Sequence, residues 1–279
     1  MKRFNTLSFI LLLLLSTKLF AQEADSLAEK KDKPQRNAFQ SAWLIDNVTG
    51  VLNPKKTLQF DIQHRFGLIN SGNNDLAGFW GPSNIRLALA YSISDRITIG
   101  FGTTKDYRLQ DFNIKVGLIR QTRSGKVPVS IAFYGNTAID TRAASFFLKE
   151  SNRFSYFSQL LIMRRFNQAI SLQVAPSFAH YNLVDPSVSN NVFALAVGGK
   201  ANISDKTAII IDYNQPFGDF SSNPGLALGI EMSTGSHAFQ VFVSNYNRIL
   251  PQANYFLNEN KLSDKQFLIG FNINRLWNF

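Results

Sequence analysis

The chain has 279 residues and a net charge of +10, from 29 Lys and Arg against 19 Asp and Glu. It contains no cysteine, which excludes disulfides, thiolate metal sites and a lipid-modified N-terminal cysteine. The basic residues do not cluster on a helical pattern, so the charge alone gives little support for a nucleic-acid partner.

The first 21 residues predict a secretory signal peptide. Lys2 and Arg3 precede the apolar run Phe9–Leu15, and the small residue Ala21 follows it. The run is shorter than the about 20 apolar residues that a membrane-spanning helix needs. We therefore expect export, which argues against nucleic acid as a partner.

Residues 22–56 are predicted to be a periplasmic linker followed by a short helix. Residues 22–36 are charged and nearly devoid of large apolar groups, as is typical of a flexible linker. In the segment 37–52, Asn37 and Gln40 resemble a capping box, and the apolar side chains would share one broad helical face. Packing on the main domain and contact with the membrane interface both remain open for this helix.

From Thr57 onward, apolar and polar residues alternate, as in TLQFDIQHRF, which is the pattern of a strand with two unlike faces. Most runs have about 9 to 12 residues, the length that a tilted bilayer-spanning strand requires. In the run that contains Leu160–Met163 the apolar stretch is unbroken, so its phase stays undetermined. The runs lie near 57–66, 84–93, 96–104, 111–120, 127–137, 154–165, 169–181, 192–203, 206–214, 225–233, 237–245 and 266–279.

The connections between runs alternate between short ones, such as Ser94–Asp95, and mostly longer ones, such as 67–83. This predicts an all-β fold, a closed antiparallel transmembrane β-barrel of about 12 strands over residues 57–279, with the short N-terminal periplasmic helix before it. An unpaired backbone amide costs several kcal/mol in hydrocarbon, so the first and last strands must pair. A soluble β-sandwich is the alternative.

The polar phase of the runs favours the membrane barrel over the sandwich. It holds mainly Ala, Gly, Ser, Asn and Gln, whereas a soluble barrel would turn bulky apolar groups inward. Two interpretations are open for its charged members: a salt-bridged network that fills the interior, or a narrow pore whose charges set selectivity. These candidate lumen-lining residues are Asp61, Arg65, Arg86, Lys115, Lys200, Asp212 and Glu231.

Several segments between Leu58 and Val241, among them LQFDIQHRFG, NIRLALAYSISDRITIGFG and FALAVGGK, resemble an exported β-barrel family known as domain of unknown function 5777. The resemblance implies a β-barrel fold and an outer-membrane location. It implies no activity and no catalytic residues.

The sequence gives little sign of an enzyme. GxSxG, HExxH and P-loop motifs are absent, and we expect no catalytic residues, cofactor or metal. His64 and His180 would lie on opposite walls of the ring, too far apart to share a metal, and His237 lies at the other rim. A barrel enzyme acting on lipid or peptide therefore has the least support.

The predicted function is a narrow channel or a solute-binding barrel for small polar solutes. The alternative is a structural or interaction barrel with a plugged lumen, whose loops or periplasmic segment bind a partner. The expected partners are the lipid bilayer and, through the C-terminal strand ending at Phe279, the barrel-assembly machinery. Whether residues 37–52 enter the lumen does not follow from the sequence.

Overall fold

The structure, a computed structural model, describes residues 32–70, 74–218 and 222–279. The predicted signal peptide and the predicted linker up to residue 31 lie outside the described residues. Within the described part, two short strands are followed by twelve that close into an antiparallel barrel. The short strands are β1 (Trp43–Leu44) and β2 (Asn47–Val48), and the barrel strands are β3 (Thr57–Leu68), β4 (Asn84–Ser94), β5 (Ile97–Thr104), β6 (Leu109–Ile119), β7 (Ser130–Asp140), β8 (Phe154–Arg165), β9 (Ile170–Tyr181), β10 (Asn191–Asn202), β11 (Thr207–Phe217), β12 (Gly225–Ser233), β13 (His237–Ser244) and β14 (Leu268–Asn278).

The predicted all-β barrel is confirmed, and each predicted run corresponds to one barrel strand. Neighbouring strands pair in chain order, and β14 closes the ring on β3. At this seam Trp277 lies opposite Leu58, and Ile273 lies opposite Ile62. The last strand is therefore ordered because it completes the hydrogen bonding of the first, as a membrane barrel without free edges requires.

The two faces of the wall differ as the alternation predicts. In β4, Leu89 is 48% exposed, whereas its neighbour Ala88 is 6% exposed. The outer face carries a belt of large apolar side chains and the inner face carries small and polar ones. Such a belt would be unfavourable in water and is stable when it faces hydrocarbon.

The predicted helix over residues 37–52 is wrong. The segment forms a two-stranded hairpin in which Trp43 pairs with Val48. Ile45 adopts a φ of 59°, a left-handed conformation that fits a tight turn and interrupts a helix. The apolar residues follow no single helical face because the hairpin is surrounded by protein on all sides.

The α-helix of the described residues is α1 (Pro251–Leu257), which begins with proline at its first turn. It lies in the long connection between β13 and β14. No helix in the described ranges is long and apolar enough to cross a bilayer.

The barrel has two unlike ends. The short-connection end carries Asp95, between β4 and β5, and Phe279, after β14. The long-connection end carries residues 245–267, with α1 among them. In outer-membrane barrels the short connections face the periplasm and the long ones face the outside.

Candidate functional site: the filled lumen

The lumen of the barrel is occupied by residues 37–53, which we call the plug hairpin. Ile45 is 0% exposed and Val48 is 1% exposed, although neither belongs to the barrel wall. The wall provides room through glycines: a Cβ added at Gly198 would lie 2.2 Å from Leu44 Cδ2. The chain enters this position from the short-connection end, where Gln35 N donates to Gln121 O at 2.8 Å.

Amide side chains of the wall hold the backbone of the plug hairpin. Gln240, Asn272 and Gln173 donate to its carbonyl groups at 2.7, 2.7 and 2.8 Å, respectively. A short hairpin leaves many backbone groups without partners inside the hairpin, and a buried group without a partner is costly. The polar wall therefore stabilises the hairpin in the lumen.

An ion pair links the tip of the plug hairpin to the wall. Asp46 at the turn accepts from Arg65 Nη2 at 2.5 Å, and the two side chains are 1% and 0% exposed. Arg65 also donates to Asn272 Oδ1 at 3.0 Å and lies 4.5 Å from the ring of Phe242. The guanidinium thus keeps neutral contacts besides its charged partner.

A second ion pair lies within the wall. Arg86 donates to both carboxylate oxygens of Asp111, at 2.8 and 2.7 Å, and its third donor bonds Gln63. Its guanidinium carbon lies 5.2 Å from the ring of Trp43 on the plug hairpin. This bidentate geometry is the strong form of an Arg–carboxylate pair.

Two further charged residues contact the plug hairpin nearer the short-connection end. Asp61 accepts from Trp43 Nε1 at 3.2 Å and from Asn274 Nδ2 at 2.6 Å. Lys115 Nζ donates to the carbonyl of Val51 at 3.0 Å. Both charges are therefore used in holding the hairpin and do not face an open aqueous path.

Asn47 is the point at which the plug hairpin meets α1. Its amide nitrogen donates to Asp212 Oδ1 at 2.6 Å and to Asn214 Oδ1 at 2.5 Å. Its amide oxygen accepts from the hydroxyl of Tyr255, on α1, at 3.1 Å. The hairpin comes from one end of the barrel and α1 from the other, so together they close the lumen.

The remaining pair of candidate residues lies on neighbouring parts of the wall. Lys200 and Glu231 are 5% and 2% exposed, and they interact electrostatically across the intervening strand β11. Gln240 Nε2 donates to Glu231 Oε2 at 2.8 Å. All seven candidate residues are thus buried within the barrel; five of them contact the hairpin, and Glu231 contacts Gln240, which holds it.

Two acidic residues of this network, Asp46 and Asp111, are not among the predicted lumen-lining residues. The seven predicted residues carry four positive and three negative charges. With Asp46 and Asp111 the set has nine buried charged side chains, four positive and five negative. Asp111 is the first residue of the predicted run 111–120 and has the same period-two phase as Lys115, so that phase was a signal for it. Asp46 had no such signal because its segment was predicted to be helical.

Apolar side chains on the inner face were the sequence signal for a filled lumen. Tyr134, Phe157 and Leu161 are 1%, 3% and 0% exposed and face the interior. Met163 packs against the plug hairpin and accepts from Gly50 N at 3.1 Å. The unbroken run at Leu160–Met163 follows from this, since one face meets lipid and the other meets the hairpin.

Cavities show how completely the lumen is filled. The space beside Asp61 and Lys115 measures about 30 Å³, close to the volume of one water molecule. A much larger cavity of about 510 Å³ lies at the long-connection end, with Phe256 and Leu257 of α1 in its lining. The interior is therefore closed between the two ends, and a cavity remains outside α1.

The three histidines lie in separate surroundings. His64 stacks on Phe271 with ring centroids 5.1 Å apart, and His237 stacks on Phe239 at 6.0 Å. His180 Nδ1 hydrogen-bonds Asn191 Oδ1 at 2.7 Å. The described residues contain no group of three or more His, Cys, Asp or Glu that could hold a metal ion.

These features define a membrane-bound β-barrel with an apolar outer belt and a closed lumen. The chain belongs to the family described as membrane bound beta barrel domain, of unknown function (number 5777), whose model matches residues 39–277. The family resemblance of the sequence is confirmed, and the chain is an outer-membrane barrel in contact with the lipid bilayer. No curated protein matches the chain at a significant level.

Solved structures share the fold at low sequence identity. The NanC porin is 8% identical, with a TM-score of 0.50 over 80% of this chain and 99% of the porin. An outer membrane channel from Pseudomonas putida F1 is 9% identical, with a TM-score of 0.52 over 81% of this chain and 97% of the channel. Outer membrane phospholipase A from Escherichia coli is 14% identical, with a TM-score of 0.43 over 81% of this chain and 95% of the enzyme. At these identities the similarity to the porin and to the channel establishes the fold alone.

Proposed function

We propose that the protein is a channel for small polar solutes that its own plug hairpin keeps closed. The observation that carries this proposal is the polar wall behind the hairpin. Arg65, Asp212 and Asn272 bond the hairpin through groups that water could equally well satisfy. When the hairpin leaves, water can hydrate this polar wall. A wholly apolar interior could not bind water in this way.

The second candidate is a structural or interaction barrel whose hairpin stays in place permanently. It is favoured by the packing of the hairpin, since Phe39, Leu44 and Ile45 are at most 2% exposed. In that case the interior acts as an ordinary core and a partner binds at one end of the barrel. The two candidates differ in whether the hairpin can be displaced in a folded barrel.

A reversible disulfide tests whether the hairpin must move. A Cβ added at Gly50 lies 3.4 Å from the Cβ of Ala132, about the 3.5–4.5 Å separation of disulfide-bonded cysteines. The chain has no cysteine of its own, so Gly50→Cys with Ala132→Cys forms a single engineered bridge. The Met163 side chain must shift, and its thioether end is flexible.

The recordings are made in planar bilayers, with Asp46→Asn added to favour displacement. We expect discrete conductance after reduction and none after oxidation, with the single-cysteine variants conducting in both conditions. Conductance that persists after complete crosslinking would show that the hairpin does not close the path. Silence of Asp46→Asn and of a chain lacking residues 37–53, each also combined with Tyr255→Phe to loosen α1 and each shown to be folded by heat-modifiable gel mobility, would favour the interaction barrel.

Helix α1 is the second barrier in this proposal. Gln252 Nε2 donates to Asn136 Oδ1 at 2.6 Å, and Tyr255 bonds the plug hairpin. Displacing the hairpin removes one of these two attachments. We therefore expect Tyr255→Phe to increase the frequency of openings in the Asp46→Asn background, measured in the same bilayers.

We also infer that the last strand is recognised during assembly. The Phe279 side chain is 78% exposed at the short-connection end, while its backbone N–H donates to Lys56 O at 3.2 Å. An exposed aromatic residue that contributes little packing is available to barrel-assembly machinery. Its removal is tested below.

A further inference from the structure

The cavity of about 510 Å³ at the long-connection end lies within the size range of small-molecule sites, about 300–1,000 Å³. Its walls come from three connections: the turn at Tyr107, residues 141–153 and residues 182–190. Phe256 and Leu257 of α1 complete the lining. The cavity is therefore built from separate parts of the chain and faces away from the filled lumen.

Two arginines are fixed at the wall of this cavity. Arg142 is held by Asp140, which accepts from Nε at 3.0 Å and from Nη2 at 2.6 Å. Arg153 Nη1 donates to the carbonyl oxygens of Asp140 and Arg142, at 2.9 and 2.8 Å. Among the described residues, Arg142 Nη1 and Arg153 Nη2 have no partner, so each guanidinium retains free donors.

Aromatic rings surround these guanidinium groups. The guanidinium carbon of Arg142 lies 4.3 Å from the ring centroid of Tyr107, and that of Arg153 lies 4.4 Å from the ring centroid of Phe147. Tyr181 packs on Phe256 with centroids 4.6 Å apart. Rings and fixed donors together match a ligand with a flat apolar body and a planar acceptor group.

The acidic residues nearby do not oppose an anion strongly. Asp140 is neutralised by Arg142, and the Glu150 partner of Arg153 is 79% exposed and screened by water. Asp185 accepts from Ser187 at the rim of the cavity. The free arginine donors therefore favour a carboxylate over a cation.

We propose that this cavity is a binding site for small aromatic carboxylates. The ring lies among Tyr107, Phe147 and Tyr181, and the carboxylate accepts from Arg142 and Arg153. The site is separate from the proposed path through the lumen, because α1 lies between them. Binding here does not require the plug hairpin to move.

The test is a calorimetric titration of the full chain in phosphatidylcholine nanodiscs with 1-naphthoate. The matched probes are 1-naphthamide, which is neutral, and 1-naphthylmethylamine, which is cationic. We expect saturable binding of the carboxylate at least tenfold tighter than of the amine, with empty nanodiscs correcting for partition into lipid. No saturable binding, or tighter binding of the amine, would overturn the proposal.

Variants locate the site. Leu183→Trp fills the cavity from its wall, and its control Leu148→Trp places the same side chain at a position that is 95% exposed and outside the lining. We expect at least a tenfold loss of affinity for Leu183→Trp and for Arg153→Gln, and none for Leu148→Trp. Arg142→Gln also leaves Asp140 without its partner. If Arg142→Gln does not fold, the other two variants decide the test. Unchanged affinity in both Leu183→Trp and Arg153→Gln would exclude this cavity as the site.

Discussion

Replacing Asp46 by asparagine measures how firmly the plug hairpin is held. The Asp46–Arg65 pair is buried, at 2.5 Å, and the substitution removes the charge while keeping the shape of the side chain. Removing one partner of a buried pair costs about 3–5 kcal/mol. Arg65 keeps Asn272 and the carbonyl of His64 as neutral acceptors, so we expect the lower value, about 3 kcal/mol.

This cost falls on the hairpin more than on the barrel. The strands of the wall keep their pairing, and Arg65 becomes hydrated when the hairpin leaves. Each 1.4 kcal/mol is about tenfold in an equilibrium, so the displaced population should rise about 100-fold. Maleimide labelling of Val48→Cys, a position that is 1% exposed, reports this population as a labelling rate.

The controls separate the ion pair from a general effect of charge. Asp205→Asn changes an exposed aspartate in the connection after β10 and should leave labelling unchanged. Arg65→Gln should act like Asp46→Asn, and the double variant should label far less than the sum of the two effects predicts. If Asp46→Asn labels at the rate of the unsubstituted chain, or if the two effects add, the pair does not hold the hairpin.

Three further predictions test the barrel itself. Gly198→Leu should overpack against the plug hairpin, destabilise its position by about 1–3 kcal/mol and speed the labelling of Val48→Cys. Gly235→Ala, which has open space around it, should leave the labelling rate unchanged. Leu89→Arg, on the lipid face at the middle of β4, should destabilise the barrel by about 2–4 kcal/mol, measured by urea unfolding from lipid bilayers. Its control, Arg275→Leu near the rim, should change stability by at most about 1 kcal/mol. Deletion of Phe279 should lower the fraction of assembled barrel in cells, measured by heat-modifiable gel mobility, and leave the refolding of purified protein unchanged. Equal losses in cells and in refolding would contradict a recognition role for Phe279.

The strands were predictable because the bilayer imposes its own pattern on them. Each side chain of a spanning strand faces either lipid or the interior, so polarity changes at every residue, as at Leu89 and Ala88. The closing contact of β14 with β3 follows from the cost of a free edge in hydrocarbon. Strand bounds therefore came out within a few residues, and the run at 225–233 has the observed bounds of β12.

A filled interior was one of the open interpretations, but the hairpin as its occupant was not predictable because both signals for it were ambiguous. The hairpin is apolar on several sides, which resembles an amphipathic helix when its surroundings are unknown. Inward residues such as Tyr134 and Phe157 look like irregularities in a polar phase unless a partner for them is known. Pro251 could have marked the start of α1, but its place inside the barrel depends on long-range contacts.

The contact between the two occupants makes displacement of either one cooperative with the other. The Asn47 amide bonds Asp212, Asn214 and Tyr255, so its departure takes the side-chain donor from the buried Asp212 Oδ1, while the Tyr255 hydroxyl keeps only its longer bond to Asn214 Oδ1, at 3.3 Å. A buried polar atom without a partner costs about 1–3 kcal/mol until water reaches it. Water enters more readily if α1 has moved as well, because α1 covers the junction from the opposite end. In the proposed channel the open state therefore has both the hairpin and α1 displaced, and we infer that Tyr255 is the residue through which the displacement of one favours that of the other.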